Sequence, residues 1–246
     1  MLSGVEYSMF GTIVVLLIVL MAARVQPQPI QKYVYDSGVP GPVIGLIAGV
    51  HGNERSGVDE ITRLMRAGYF NNIRRGRVKI IPLANPWGYE RNRRVSKLGD
   101  LNRIYTGGSS RTKRVRDSIM QFFSDCDVVV DFHEGWGWNR INPTSIGSTI
   151  TPSLIQGRPL GQRIVESLNN SPMMQHVIQN DPRKRYDLGK DKVVCEIHST
   201  MECYFRSQNR LHILVEVPGQ NSKNPIAVRH SNVRTVVACL LREYQM

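Results

Sequence analysis

Residues 43–61 have the sequence VIGLIAGVHGNERSGVDEI, which changes character at its midpoint. The first eight residues are apolar or glycine, which is typical of a strand that is buried on both faces of a sheet. From Glu54 onward, the apolar residues recur at helical spacing. His51 and Glu54 therefore lie where a buried strand gives way to a helix, which is the place where open α/β sheets bind ligands.

Three further apolar runs predict buried strands, because each is nearly continuous rather than alternating. They are VKIIPLAN, DVVVDF and LHILVEV, with VVCEI as a weaker candidate. Helices are predicted between and after the strands, at residues 54–70, 111–124, 159–169 and 232–243. This alternation predicts an α/β fold with a mainly parallel, mixed sheet and helices on both of its faces.

The chain is predicted to hold one domain, at residues 33–246, after a hydrophobic segment and linker at residues 1–32. Residues 7–23, YSMFGTIVVLLIVLMAA, carry no charge and are followed by Arg24 and the loop-like QPQP. This run is at the short limit for a membrane span. Only Glu6 and the amino terminus precede it as charges, and no A-x-A cleavage site follows it. An uncleaved membrane anchor is therefore favoured over a secretory signal that is removed.

The charge of the chain is concentrated in one region. The sequence has 32 basic and 20 acidic residues, a net charge of +12, with 41% hydrophobic content that excludes a disordered tail. Residues 63–116 contain 15 Lys or Arg against only Glu90 and Asp100. An anionic partner, including lipid head groups near an anchor, is expected at this region.

The four cysteines do not form a C-x-x-C pair, so a structural zinc site is not predicted. Cys195 and Cys203 could close a hairpin disulfide in an oxidising compartment. The preferred interpretation is that Cys195 and Cys203 pack as small buried hydrophobic residues instead.

His133 is a second histidine at the end of a predicted buried strand, because it follows the apolar run DVVVDF. An H-x-x-E pair such as His51 and Glu54 is weak evidence alone, whereas two imidazoles and a carboxylate form a His₂Glu set that holds catalytic zinc. Gly52 is expected to permit the sharp turn between His51 and Glu54. The alternative is that each histidine is a hydrogen-bonded loop residue and that Glu54 favours the helix dipole.

Glu216 interrupts the apolar run LHILVEV, and a carboxylate there must be paired or neutralised. Apolar surroundings would raise its pKa and suit it to act as a general base. The alternative is an ion pair with an arginine of the basic region. Arg94 and Arg103 are candidates for capture of a substrate carboxylate and for stabilisation of an oxyanion.

Four motifs occur in a fixed order along the chain: HGNE, NPWGYERNRR with DLNR, DFHEG and VEVPG. Over about residues 43–219, this set resembles the zinc-dependent succinylglutamate desuccinylase and aspartoacylase family, a branch of the M14 metallocarboxypeptidase-like fold. The resemblance implies one Zn²⁺ per chain, held by His51, Glu54 and His133, and it implies Glu216 as the base.

The resemblance also implies how the substrate is held. Asn102 and Arg103 of DLNR would bind the substrate carboxylate, and Arg94 would polarise the scissile carbonyl, with Arg93 as the adjacent alternative. Enzymes of the family usually carry a further β-rich domain, whereas about 30 residues remain here after Glu216. Substrate selection and oligomeric state therefore cannot be carried over. The soluble enzymes of the family also lack an apolar amino-terminal segment, which suggests a different compartment and substrate pool for this chain.

The leading hypothesis is a zinc hydrolase that cleaves an amide or ester bond near a free carboxylate, as an N-acyl amino acid deacylase does. The alternative keeps the metal site and makes the protein an M14-type carboxypeptidase or a cell-wall peptide amidase. In both cases the partner is a small carboxylate-bearing N-acyl amino acid or peptide. A third hypothesis, a membrane-tethered basic module for nucleic acid or lipid, predicts no metal. Nucleic acid is not expected, because that hypothesis leaves the strand-end residues unexplained.

Overall fold

The structure, a computed structural model, describes residues 29–189, 199–220 and 224–246. The apolar run at residues 7–23 and the weaker strand VVCEI lie outside these ranges, so both remain predictions. In the described part of the chain, no helix combines the length and the apolarity that a membrane span requires.

The core of the fold is a seven-stranded sheet in the order β1-β3-β2-β4-β7-β5-β6. Its strands are β1 (Tyr33–Asp36), β2 (Val43–Ala48), β3 (Arg77–Ile81), β4 (Val128–Trp136), β5 (Thr149–Pro152), β6 (Asp187–Leu188) and β7 (His212–Gln220). The central strands β3, β2, β4 and β7 pair in parallel. β1 and β5 join them as antiparallel strands. The predicted mainly parallel, mixed sheet is confirmed.

Seven α-helices occur in the described residues. They are α1 (Arg55–Arg66), α2 (Pro86–Glu90), α3 (Ser110–Phe122), α4 (Arg158–Asn169), α5 (Pro172–Asn180), α6 (Met201–Ser207) and α7 (Ile226–Glu243). The four predicted helices correspond to α1, α3, α4 and α7. The largest difference is in α7, which begins six residues before the predicted start because Pro225, at its N-cap, is a natural helix start.

Helices cover both faces of the sheet, as predicted. The apolar side chains of α1, α4 and α7 pack in one core cluster with Leu46 and Phe132. Those of α3 and α6 pack in a second cluster with Ile47 and Val129. Neighbouring positions along one strand thus enter different cores, because successive side chains point to opposite faces. Because helices pack on both faces of the sheet, the strands need apolar residues at successive positions, which explains the unbroken apolar runs in the sequence.

The carboxyl ends of β2, β4 and β7 meet at one edge of the sheet because these strands are parallel neighbours. Ala48 of β2 pairs with Phe132 of β4, and His133 pairs with Glu216 of β7. His133 was predicted at the end of its strand, but β4 continues to Trp136. The strand is longer than its apolar run because His133 and Glu134 are themselves buried polar residues.

Candidate metal centre and active site

Three potential metal ligands converge at this edge of the sheet. The ligand atoms of His51, Glu54 and His133 all lie within 4.8 Å of one another, and all three residues are buried. The two Nδ1 atoms of His51 and His133 are 3.0 Å apart. The Glu54 carboxylate lies 2.8 Å from His51 Nδ1 and 2.7 Å from His133 Nδ1. The structure therefore brings the predicted His₂Glu set together.

Each imidazole is oriented by a carboxylate on its other ring nitrogen. His133 Nε2 lies 3.0 Å from Asp131 Oδ2, and His51 Nε2 lies 3.1 Å from Asp100 Oδ1. A carboxylate accepts a hydrogen bond from a proton-bearing nitrogen, so with a metal ion bound at Nδ1 these contacts would hold the N–H of each imidazole on Nε2. Both Nδ1 atoms face the same point. This arrangement is the one that accompanies metal-binding histidines in proteins.

The charges of the site favour a cation. Burial alone would raise the pKa of Glu54, but the charge and hydrogen bonds of His133 and His51 outweigh burial and lower it to about 2. Burial would also raise the pKa of Asp131, but its contacts with His133 and His212 lower it. Burial would lower the pKa of His133, whereas Asp131 and Glu54 raise it well above its usual value. Ionised carboxylates thus surround the point where the Nδ1 atoms meet.

These observations fit a divalent metal ion such as zinc. Nitrogen ligands bind zinc at about 2.0–2.1 Å, so two that share a tetrahedral ion lie about 3.3 Å apart. The observed 3.0 Å between the Nδ1 atoms is close to that separation. Three protein ligands, with a carboxylate behind each histidine, match a site that keeps one position open.

Glu216 borders the same cavity but is held differently. Glu216 is 5% exposed. It lies opposite His133 in the pairing of β7 with β4. Burial raises the pKa of Glu216 to about 8, and the nearby carboxylates of Glu54 and Asp131 add to this effect. The described ion pairs of Arg94 go to Glu54 and Asp100, and no described ion pair joins an arginine to Glu216. The charge of Arg94 acts to lower the pKa of Glu216, but among the described residues this effect is outweighed by burial and the nearby carboxylates.

The turn that carries His51 and Glu54 depends on glycines for two different reasons. Gly49 has a φ of +65°, in the left-handed region that favours glycine. A Cβ atom on Gly52 would lie 2.1 Å from the backbone carbon of Gly88 in α2. Gly52 was expected to permit a sharp turn, but it is needed because α2 passes directly against it.

Neighbouring polar residues fix the backbone around the ligands. Asn85 Oδ1 accepts a hydrogen bond from Gly88 N, and its Nδ2 donates to the carbonyl of Arg94. Glu134 Oε1 accepts a hydrogen bond from Ser56 N in the first turn of α1. Its backbone N donates to Glu54 Oε2 at 3.1 Å. The start of α1 and the end of β4 are thus tied together at the Glu54 carboxylate.

Arg94, rather than Arg93, lines the cavity. The Arg94 guanidinium is 43% exposed and donates to Glu54 Oε1 at 3.1 Å, and it also lies 3.5 Å from Asp100 Oδ2. A positive charge on the cavity wall next to the three ligands can stabilise negative charge that develops there.

Asn102 and Arg103 line the cavity as well. Asn102 Oδ1 accepts a hydrogen bond from Met201 N, at the start of α6. Arg103 is exposed and donates to the carbonyl of its neighbour Asn102. The guanidinium is therefore positioned at the cavity while its charge remains available to a ligand.

Sequence reasoning missed four residues of the site: Asp131, Asp100, Gln220 and His212. Asp131 and His133 are two residues apart in a strand and so share a face, which is a signal that the sequence does carry. Asp100 begins the quoted DLNR motif, yet only Asn102 and Arg103 were given roles.

The other two missed residues lie on β7. Gln220 Nε2 donates to Glu54 Oε1 at 2.8 Å. His212 is 1% exposed, and its Nε2 lies 3.8 Å from Asp131 Oδ2. Neither contact was predictable, because each depends on how β7 is placed beside β4.

The cysteine prediction is wrong at one position. Cys203 is disulfide-bonded, whereas Cys126 and Cys239 are free. Cys195 lies outside the described residues. Cys203 also lines the cavity, so a covalent link stabilises this part of its wall.

Comparisons with known proteins agree with this geometry. A sequence model of the succinylglutamate desuccinylase/aspartoacylase catalytic domain matches residues 40–221. A comparison with curated protein sequences gives no match. Product-bound cell shape determinant protein Csd4 from Helicobacter pylori has a TM-score of 0.74 at 18% identity, over 88% of this chain and 55% of that chain. A succinylglutamate desuccinylase from Silicibacter sp. TM1040 has a TM-score of 0.59 at 16% identity, over 85% of this chain and 60% of that chain.

The two structures share the fold of this chain, which spans just over half the length of Csd4. The family match covers most of the chain and includes all four motifs that carried the resemblance. The chain therefore belongs to the succinylglutamate desuccinylase/aspartoacylase family, through the catalytic domain at residues 40–221.

Proposed function

We propose that this protein is a zinc-dependent hydrolase that cleaves an amide or ester bond close to a free carboxylate, as an N-acyl amino acid deacylase. One observation carries the proposal. The Nδ1 atoms of His51 and His133 and the Glu54 carboxylate converge in a cavity that Glu216 also borders. Membership of a family of desuccinylases and aspartoacylases supports a hydrolase.

His51, Glu54 and His133 would hold the metal ion. Bound there, zinc supplies Lewis-acid chemistry, since it polarises a carbonyl oxygen and lowers the pKa of water from 15.7 toward ~7. Asp131 and Asp100, which contact the Nε2 atoms, would keep the Nδ1 atoms of the two imidazoles available to that ion. His133 must give up its proton to serve as a ligand, which couples metal binding to pH.

Glu216 would act as the general base. Its carboxylate takes a proton from the attacking water and then passes it to the leaving amine. A pKa of about 8, raised by burial, lies near the operating pH, where one group can both accept and donate a proton. The apolar strand around Glu216 is therefore part of the chemistry, because it keeps water from lowering that pKa.

Arg94, Asn102 and Arg103 would bind the substrate. Arg94 stabilises the oxyanion that forms when water attacks the carbonyl carbon. Arg103 pairs with the free carboxylate of the substrate, helped by the amide of Asn102. The cavity of about 630 Å³ is within the size range of small-molecule sites.

The alternative function is an M14-type carboxypeptidase or a cell-wall peptide amidase that uses the same metal site. Structures of Csd4 include one bound to a tripeptide and one in which it is described as a D,L-carboxypeptidase. The cavity of this chain is large enough for a short peptide, which is the observation that keeps this alternative.

The experiment is to incubate the zinc-loaded protein with N-acyl amino acids and, separately, with short peptides, and to identify the released amine by mass spectrometry. Release of an amino acid from N-acyl compounds supports the proposal, and release from peptides alone supports the alternative. The His133→Ala variant serves as the inactive control. Failure to release an amine from either class would contradict both functions.

A further inference from the structure

A second cavity adjoins the one that holds the candidate metal ligands. We call the cavity of about 630 Å³ at His51, Glu54 and His133 the metal-site cavity, and the second, of about 490 Å³, the distal cavity. Trp136 and Asn142 line both. A ligand that fills the first can therefore extend into the second past these two side chains.

The two cavities lie on opposite sides of the sheet edge. His133 and Asp131 alternate along β4 with Phe132 and so face the core of α3 and α6. Trp138 and Val228 of the distal cavity pack in the other core, with α1, α4 and α7. The segment after β4 crosses from one side to the other, and Trp136 lies at the crossing.

Trp136 is unusually exposed for its size. Trp136 is 59% exposed. The register of β4 with β7 shifts between Gly135 and Trp136. Ile146 in the metal-site cavity is 53% exposed, and Ile141 in the distal cavity is 42% exposed. The end of β4 and the loop after it thus present three large apolar side chains at two adjoining cavities, which marks a site for an apolar ligand group.

The lining of the distal cavity defines the chemistry of that group. Trp138, Val177 and Val228 provide apolar walls. Asn142 and Asn180 supply side-chain amides, which can pair with an amide or hydroxyl group along a ligand. Among the described residues that line it, Lys184 is the only Lys, Arg, Asp or Glu. The apolar walls therefore suit an apolar group, and none of the described lining residues offers an acidic partner to a cationic group.

We propose that the distal cavity is a subsite for the far end of the substrate's acyl group, which reaches it across Trp136. Substrates would then carry an acyl group longer than acetyl or succinyl, ending in an aromatic or branched aliphatic group. Arg103 and Asn102 lie on the α3 and α6 side, near Leu101 of that core, so the carboxylate and the apolar end point in opposite directions. This inference rests on the proposed hydrolase function and specifies its substrate class.

The test compares one amino acid that carries four N-acyl groups: acetyl, succinyl, 4-phenylbutanoyl and a leucyl-containing peptidyl group. For the wild-type protein, kcat/KM for the phenylbutanoyl compound is expected to exceed that for the acetyl compound by about tenfold or more. Trp136→Ala and Ile141→Arg should each remove most of this ratio. Ile155→Ala is the matched control, because Ile155 is 71% exposed and lines neither cavity, and it should keep the wild-type ratio.

A wild-type ratio near one, or a ratio that Trp136→Ala and Ile141→Arg leave unchanged, would overturn the subsite. The peptidyl compound should show the same preference over the acetyl compound, because it also places an apolar group at the distal cavity. The dissociation constant of the phenylbutanoyl compound, measured by calorimetry for wild type and for Trp136→Ala, tests the subsite independently of the proposed hydrolase activity. Binding that weakens about tenfold in Trp136→Ala supports the subsite even if no bond is cleaved.

Discussion

Replacing Asp131 with asparagine tests how the protein holds its metal ligands. Asp131 is 1% exposed and accepts a hydrogen bond from His133 Nε2 at 3.0 Å. A hydrogen bond to a charged group contributes about 1.5–3 kcal/mol, and loss of such a partner behind a metal-binding histidine weakens metal affinity about 10–100-fold. The Asp131→Asn substitution would keep the shape of the side chain but remove the charge that fixes the N–H on Nε2. We expect the zinc dissociation constant to rise by about 10–100-fold.

The assay is competition with a chromogenic chelator at fixed pH. Asp100→Asn is the graded comparison, because the Asp100 side chain is 22% exposed and water can partly replace it behind His51. Its effect should be smaller. Asp59→Asn is the unaffected control, since Asp59 accepts from the Tyr89 hydroxyl and does not line the cavity. If folded Asp131→Asn bound zinc within about twofold of wild type, the assignment of Nδ1 as the ligand atom would be refuted.

Three further predictions concern catalysis, stability and substrate capture. Glu216→Gln should lower turnover about 10²-fold or more while one metal ion stays bound, because the general base is lost but the ligands are not; full activity would refute the assignment. Glu60 pairs with Arg63 within α1 and with Arg234 of α7, and although its burial acts to raise the pKa, these partners lower it. A lowered pKa contributes stability that is fully present above the unfolded value of about 4.3 and is lost as pH falls through the folded pKa, so Glu60→Gln should cost about 1–3 kcal/mol of unfolding free energy at pH 7 and less at pH 3. Urea unfolding at both pH values measures this, and an equal cost at both would contradict it. The exposed Lys97 lies in the basic region, three residues from Arg94 and from Asp100 in the sequence, so Lys97→Glu should reduce kcat/KM for an anionic substrate at low salt, and the difference should shrink as salt screens it.

The parts of the site that could be predicted are those that the sequence periodicity places on strand ends. His51 follows a short apolar strand, and Glu54 begins the helix after it, so their convergence follows from local structure alone. His133 and Glu216 required the additional inference that their strands are parallel. All four were predicted because polar residues follow or interrupt apolar runs, and such changes of character are visible in a sequence.

The parts that could not be predicted depend on long-range packing. Gly52 is needed for a contact with α2, which lies 36 residues further along the chain at Gly88. His212 approaches Asp131 only because β7 pairs with β4. Trp136 lies four residues beyond the apolar run DVVVDF, and only the folded chain shows that it is exposed and lines two cavities. Local pattern indicates which side chains are polar and buried, but not which distant segment covers them.

The most direct test of the central claim is metal analysis of the purified protein after reconstitution with zinc, with wild type measured beside His133→Ala. The account predicts about one tightly bound zinc per wild-type chain, the number that one His₂Glu site holds. It predicts loss of that ion in His133→Ala. Wild-type protein without stoichiometric zinc, or a variant that retains it, would contradict the account.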